Sequence, residues 1–155
     1  MIVPDVNLLL YVYNPTCAAH PKATRWWSDC LSGTEPVGLP HVVLFAFVRI
    51  ATRREAFNPP LPVVAAAGHI RSWIAQPNVQ IIQPGDGHTD RVLDLLQQAG
   101  VGGNLVTDAQ LAALAIEHHA VLHTADTDFL RFPGVRWFNP ITGMGSDKLR
   151  RGSRS

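Results

Sequence analysis

A carboxylate stands five residues from the amino terminus, inside the apolar run from Met1 to Val6. An unpaired buried charge costs several kcal/mol, so a fold that takes this run as a core strand must give Asp5 a partner or a cation. One outcome is a strand-end cap in which Asp5 accepts backbone N–H bonds, with Asn7 in a similar role. The other is a functional ligand in a site assembled from distant parts of the chain. Pro4 adds a second restriction, because proline removes a ladder donor and suits a strand end. The strand must be very short, or distorted, where it meets the acid.

Further acids lie in the stretch from Asn104 to Phe129. Thr107 and Gln110 have the spacing of a capping box, which predicts a helix opening there. Leu111, Leu114, Ala115 and His118 then share one helical face. Ala120 to Thr124 reads as a buried strand, and Asp126 and Asp128 leave it. Asp108 falls in the first turn of the helix. Locally, Asp108 suits a helix N-terminus and the other two suit a turn. Taken together, acids around one strand–helix junction also suit a divalent metal.

The remaining chain alternates strands and helices. Leu8 to Tyr13 predicts a short helix stopped by Asn14-Pro15, and His20 to Leu31 a longer one with Pro21 in its first turn. Its Trp26, Trp27 and Cys30 are expected to pack rather than to bind. Val37 to Leu39 predicts a strand, with Pro40 opening the nearly all-apolar helix His41–Thr52, in which Arg49 is the one charge. Helices over Val63–Ala75 and His88–Ala99 and strands over Val79–Ile82 and Val135–Phe138 complete the pattern. Such alternation argues for an α/β fold whose parallel central sheet is covered on both faces. Ligands of such folds bind beyond the carboxyl ends of the strands, where Asp5, Asp108 and Asp126 could converge.

The 155 residues are 46% hydrophobic and 16% charged, which describes one compact domain with a core. A net charge of +1 announces no broad basic surface. Positive charge is local, in Arg49, Arg53 and Arg54 and in the stretch from Lys148 to Arg154. Two cysteines, Cys17 and Cys30, do not make a disulfide framework. The N-terminal run has no signal-peptide character and is too short to cross a bilayer, so a cytoplasmic location without membrane contact is expected.

Carboxylates gathered in one pocket must share protons or a cation. Hard oxygen donors select Mg²⁺ or Mn²⁺ over zinc, and the seven histidines show no zinc spacing. The chemistry that suits such a cluster is metal-activated water attack on a phosphodiester. Walker A, GxGxxG, GxSxG and CxxC motifs are absent. Asp126-Thr127-Asp128 matches the DxD of some phosphatases, but those enzymes carry the pair after the first strand.

The segments Val3-Pro4-Asp5-Val6-Asn7, Phe47-Val48-Arg49-Ile50-Ala51-Thr52, Asn104-Leu105-Val106-Thr107-Asp108-Ala109, His123-Thr124-Ala125-Asp126-Thr127-Asp128-Phe129 and Arg131-Phe132-Pro133-Gly134 occur in this order. In that order they resemble a PIN-domain ribonuclease of the VapC type, the toxin of bacterial type II toxin–antitoxin systems. The resemblance implies a three-layer α/β/α sandwich over residues 1–142, followed by a basic, flexible tail over 143–155. It implies Mg²⁺-dependent cleavage of structured RNA, transfer or ribosomal, with Mn²⁺ as a possible substitute. Asp5, Asp108 and Asp126 would be the metal-binding and catalytic acids, with Asp128 beside them as a further ligand. Asn7 would orient Asp5 or the attacking water, and Thr124 would steady the loop. Arg49 would support the site and, with Arg53 and Arg54, contact RNA phosphates. Implied partners are a VapB-type antitoxin that fills the groove and a second copy of the chain in a homodimer. Many PIN domains place a glutamate in the helix corresponding to His41–Thr52, and this helix has none. Either Asp128 replaces it or the site holds a single ion. A non-catalytic RNA- or partner-binding module and a small phosphohydrolase are the competing readings.

Overall fold

The computed structural model describes residues 1–147; the basic stretch from Lys148 onward lies outside the described residues. Five strands form one all-parallel sheet: β1 (Ile2–Pro4), β2 (Val37–Pro40), β3 (Val79–Ile82), β4 (Val121–His123) and β5 (Arg136–Phe138), in the order β3-β2-β1-β4-β5. Between them run α1 (Val6–Val12), α2 (His20–Ser32), α3 (His41–Ala51), α4 (Val63–Ile74), α5 (His88–Ala99) and α6 (Leu105–Glu117). A short 3-10 turn, Thr127–Arg131, links β4 to β5.

Chain direction sets the layers. From β1 to β2 to β3 the chain steps one way across the sheet, so right-handed crossovers lay α1 to α4 on one face. The return from β3 past β1 to β4 lays α5 and α6 on the other. Packing agrees: α1 touches α2 and α3, α3 touches α4, and α5 lies along α6. The expected α/β/α sandwich follows. Strand order reverses between β1 and β4, which are direct neighbours. That reversal is the topological switch point where such sheets bind ligands.

Strand ends carry prolines as expected. Pro4 closes a three-residue strand, and the ladder resumes one residue later, where the Asp5 amide donates to the His123 carbonyl at 2.8 Å. Pro40 likewise ends β2 and precedes α3 directly. Val3, Leu39 and Leu122 bring the three central strands into a core from which water is excluded.

Three local expectations need correction. α6 opens at Leu105, so Thr107 is its third residue, and Asn104 at the cap makes no side-chain capping bond. The capping box of Thr107 and Gln110 is therefore not formed. Nor does α6 have a single apolar face: Leu105, Ala109 and every residue from Leu111 to Ala115 are buried, because α5 covers the side turned away from the sheet. His118 leaves that pattern altogether; it caps the helix, and its Nε2 lies 2.8 Å from the Gln83 carbonyl. Finally, α1 begins at Val6, directly after Asp5, two residues ahead of the expected start at Leu8.

The tryptophans pack as expected. Trp73 sits edge-on to Trp27 (5.6 Å between centroids, 90°) and to Phe47 (4.9 Å, 66°), and its Nε1 donates to the Tyr13 hydroxyl at 2.9 Å. Burial pushes the Cys30 thiol up to about 12, leaving it a small apolar filler. Gly145 pairs back onto Phe138, so the chain just past residue 142 is tied to β5. Among the described residues no helix is long and apolar enough to cross a membrane. Trp73→Ala is expected to lower unfolding free energy by about 3–5 kcal/mol, read from urea midpoints. Trp73→Phe is expected to lose less while leaving the Tyr13 hydroxyl without its donor.

Candidate metal centre

Parallel pairing of β1 with β4 puts Pro4 beside His123, so the next residue of each chain, Asp5 and Thr124, emerges at the switch point. Both side chains are buried, Asp5 at 5% exposure and Thr124 at 2%. The Thr124 hydroxyl donates to Asp5 Oδ2 at 2.9 Å and accepts from the Asp126 amide at 3.0 Å. One hydroxyl thus ties the end of β1 to the loop after β4. Asp126 then caps the 3-10 turn: its Oδ1 accepts from the Asp128 amide at 2.8 Å. The turn lifts Asp128 toward the first turn of α6, where Asp108 stands. Asp108, Asp126 and Asp128 each present a carboxylate oxygen within 4.8 Å of the others.

Asp5 lies beside this trio rather than in it, with the backbone N–H groups of Val6 and Asn7, at the start of α1, helping to favour its charged form. Its charge is felt all the same. Burial, then Asp5, Asp126 and Asp128, raise the Asp108 carboxyl from 3.8 to about 7. Burial also raises Asp5, to about 6; the Thr124 hydrogen bond pulls it down, and Asp126 pushes it up again. Two acids therefore hold protons close to neutrality because like charges crowd a poorly solvated spot. The donor set fits a hard divalent cation: several carboxylate oxygens, half-buried, with excess negative charge to neutralise. Histidine and cysteine, which would favour zinc, contribute nothing to the trio.

The other expected residues fall outside the trio. Asn7 is the second residue of α1, two positions past Asp5. Arg49 is exposed on the outer side of α3, and among the described residues it makes no ion pair. Arg53 pairs loosely with Glu55 at 3.5 Å, both in water, and Arg54 is exposed nearby. On the inner side of α3, Val43, Leu44 and Phe47 are buried, and Phe47 packs on Tyr13 and Trp73. That side is filled with hydrocarbon and aromatic rings, and α3 carries no carboxylate.

Three neighbours of the site were not expected there, although Arg131 and His123 stand in segments that carry the resemblance. Arg131 Nε lies 3.9 Å from Asp128 Oδ1, a long exposed contact across one turn. Tyr11 has its phenol raised by burial and then by Cys17, Asp5 and Asp126. His123 accepts at Nδ1 from Trp26 Nε1 at 2.9 Å, and burial lowers it to about 4, so it stays neutral. Each depends on contacts between residues distant in sequence, or on a turn whose geometry is not written in residue type. Thr124→Val is expected to cost about 1–3 kcal/mol by leaving the Asp5 carboxylate and the Asp126 amide without their partner. Thr124→Ser keeps the hydroxyl and is expected to retain most of that stability; thermal unfolding of the three proteins measures it.

Comparison with known proteins bears on the family. The PIN domain family matches residues 2–135. Ribonuclease VapC33 of Mycobacterium tuberculosis is 43% identical over 141 residues, spanning 91% of this chain and 99% of its own. Ribonuclease VapC37 of the same species is 44% identical over 140 residues, spanning 90% of this chain and 97% of its own. Among solved structures, M. tuberculosis VapC20, a sarcin-ricin-loop-cleaving toxin, superposes with a TM-score of 0.63 at 21% identity over 84% of this chain and 93% of its own. VapBC2 from Rickettsia felis, bound to promoter DNA, superposes at 0.65 and 19% identity over 90% of this chain and 98% of its own. The structural matches show the shared fold, and the sequence matches carry the activity: this chain belongs to the PIN-domain family and is an endoribonuclease of the VapC toxin type.

Proposed function

We propose that Asp5, Asp108, Asp126 and Asp128 form a Mg²⁺ site, able to take Mn²⁺, at which the protein cuts structured RNA of the transfer or ribosomal class. The observation that carries this reading is the convergence of three carboxylates, one from the first turn of α6 and two from the turn after β4, within 4.8 Å of one another, on a chain related to ribonucleases. Asp108, Asp126 and Asp128 would hold the cation. Asp5, fixed by Thr124, adds its charge from the buried side, and Asn7 orients Asp5 or the attacking water. Asp128 takes the place of the carboxylate that α3 lacks. When bound there, a divalent cation acidifies water and neutralises charge developing on the leaving oxygen. Arg49, Arg53 and Arg54 hold RNA phosphates as a focused cationic strip.

The same acids suit regulation. The R. felis neighbour is a VapBC assembly, and we assign this chain a VapB-type antitoxin as inhibitor, with the acid cluster as its target. The protein acts in the cytoplasm as a homodimer.

Two measurements test the site. Purified protein is expected to cut RNA with Mg²⁺ or Mn²⁺ and to stop with EDTA. Asp108→Asn is expected to reduce cleavage by more than the roughly 100-fold typical of outer partners of a metal site. Retention of full activity by that variant would overturn the assignment. The second is a stability test. Asp5 and Asp108 are raised in the folded state, so folding takes up protons in the window above 3.8 and up to about 6 and about 7 respectively. The unfolded chain binds fewer protons there, and the metal-free protein must lose stability as pH rises through that window. Melting temperature is therefore expected to fall on going from acid to neutral pH without metal. Mg²⁺ is expected to raise it, and to raise it more at pH 8 than at pH 5. Asp108→Asn is expected to melt higher than the parent at pH 8 without metal and to respond less to Mg²⁺.

A further inference from the structure

His41, Phe45 and Arg49 recur at four-residue spacing and so form one stripe on the outer side of α3. Phe45 is 66% exposed, on a helix whose opposite side is buried in the core. The His41 ring lies nearly parallel to it, 8° between planes and 5.8 Å between centroids. With Val42, Ala46 and Thr107 these three line a groove of about 330 Å³ that contains no carboxylate. Thr107 precedes Asp108 in the first turn of α6, so the groove and the acid trio draw on the same helix start. α3 also leaves the carboxyl end of β2, the edge of the sheet that carries Asp5.

We propose that this groove receives an unpaired base of the RNA beside the scissile phosphodiester, stacked on Phe45, with Arg49 on the neighbouring phosphate. An aromatic ring in water and a guanidinium without an acidic partner, one turn apart, match a base and its phosphate in order along the strand. The chain carries a net charge of only +1, so an arginine with no ion pair among the described residues, beside an aromatic, is a focused complement to a polyanion. Bases inside a duplex keep their faces covered, whereas loop bases can be turned out onto a side chain. The groove therefore selects cleavage in loops over cleavage in stems. The inference rests on the ribonuclease assignment of the acid cluster and names what that cluster cuts.

The probe is a single-stranded oligoribonucleotide containing 2-aminopurine, compared with the same strand annealed to its complement. Binding is followed by fluorescence with the full chain carrying Asp108→Asn, so that the RNA stays whole. Single-strand binding with quenching is expected. Phe45→Ala and Phe45→Leu are each expected to weaken it by about tenfold or more and to abolish the quenching, while Phe45→Trp keeps both. Arg49→Gln is expected to weaken binding and flatten its salt dependence. Duplex binding should not respond to Phe45. If Phe45→Leu bound and quenched like the parent, or if Phe45→Ala left RNA binding intact, the proposal would be wrong. If Phe45→Ala left RNA binding intact but shifted the sedimenting mass or released antitoxin, the face would belong to a protein partner. Loss of RNA cleavage by the parent with Mg²⁺ or Mn²⁺, alongside Phe45-dependent quenching, would instead reject the assignment of the acid cluster and leave the groove standing.

Discussion

The hydroxyl of Thr124 holds together parts of the chain that are 119 residues apart, accepting from the loop that carries Asp126 and donating to Asp5. Much of the site geometry depends on that bond. Asp5 ends a strand so short that its carboxylate has hardly left the core, and burial alone drives it toward the neutral form. The hydroxyl opposes this by stabilising the charged form. Around it, β1 and β4 must lie side by side and in register, which is what an order reversal at the middle of a parallel sheet produces.

The acids repel one another, and the fold tolerates this because the repulsion stays confined to one end of the sheet. Everything beneath is hydrocarbon and aromatic: Val3, Leu39 and Leu122 in the strands, Trp27, Phe47 and Trp73 among the helices. The inner side of α3 belongs to this layer. A carboxylate at Phe47 would meet Tyr13 and Trp73 rather than water, whereas the acid trio stands at the start of α6 and in the turn after β4. Stability and reactivity thus draw on separate layers of the molecule.

Much of the fold was legible in residue order, because prolines, glycines and apolar runs punctuate each βα unit. Pro4 announced a short strand, Pro40 the start of a helix, and Asp5 a charge needing company. Where reading failed, neighbours decided. Thr107 has capping chemistry, but α6 starts earlier and buries nearly its whole circumference under α5. The place of Asp128 could not be read, since a DxD after a strand looks alike whether the second acid turns inward or away. The bond from the Asp128 amide to Asp126 Oδ1 decides it. The exposed stripe of His41, Phe45 and Arg49 had no counterpart in the reading of the sequence, because the helix is apolar on both sides.

Two of the acids serve two tasks at once. Asp5 Oδ2 accepts from Thr124 and Asp126 Oδ1 from the Asp128 amide, so each carboxylate makes a structural bond as well as carrying charge. An asparagine can accept the same structural bonds through its single carbonyl oxygen while carrying no charge. In the genetic code that exchange is one base change at the first position of the aspartate codon. A silenced copy of such a gene can therefore arise in one mutational step and keep the outline of the active protein, so that comparison of shapes alone would not tell a harmless descendant from a lethal one.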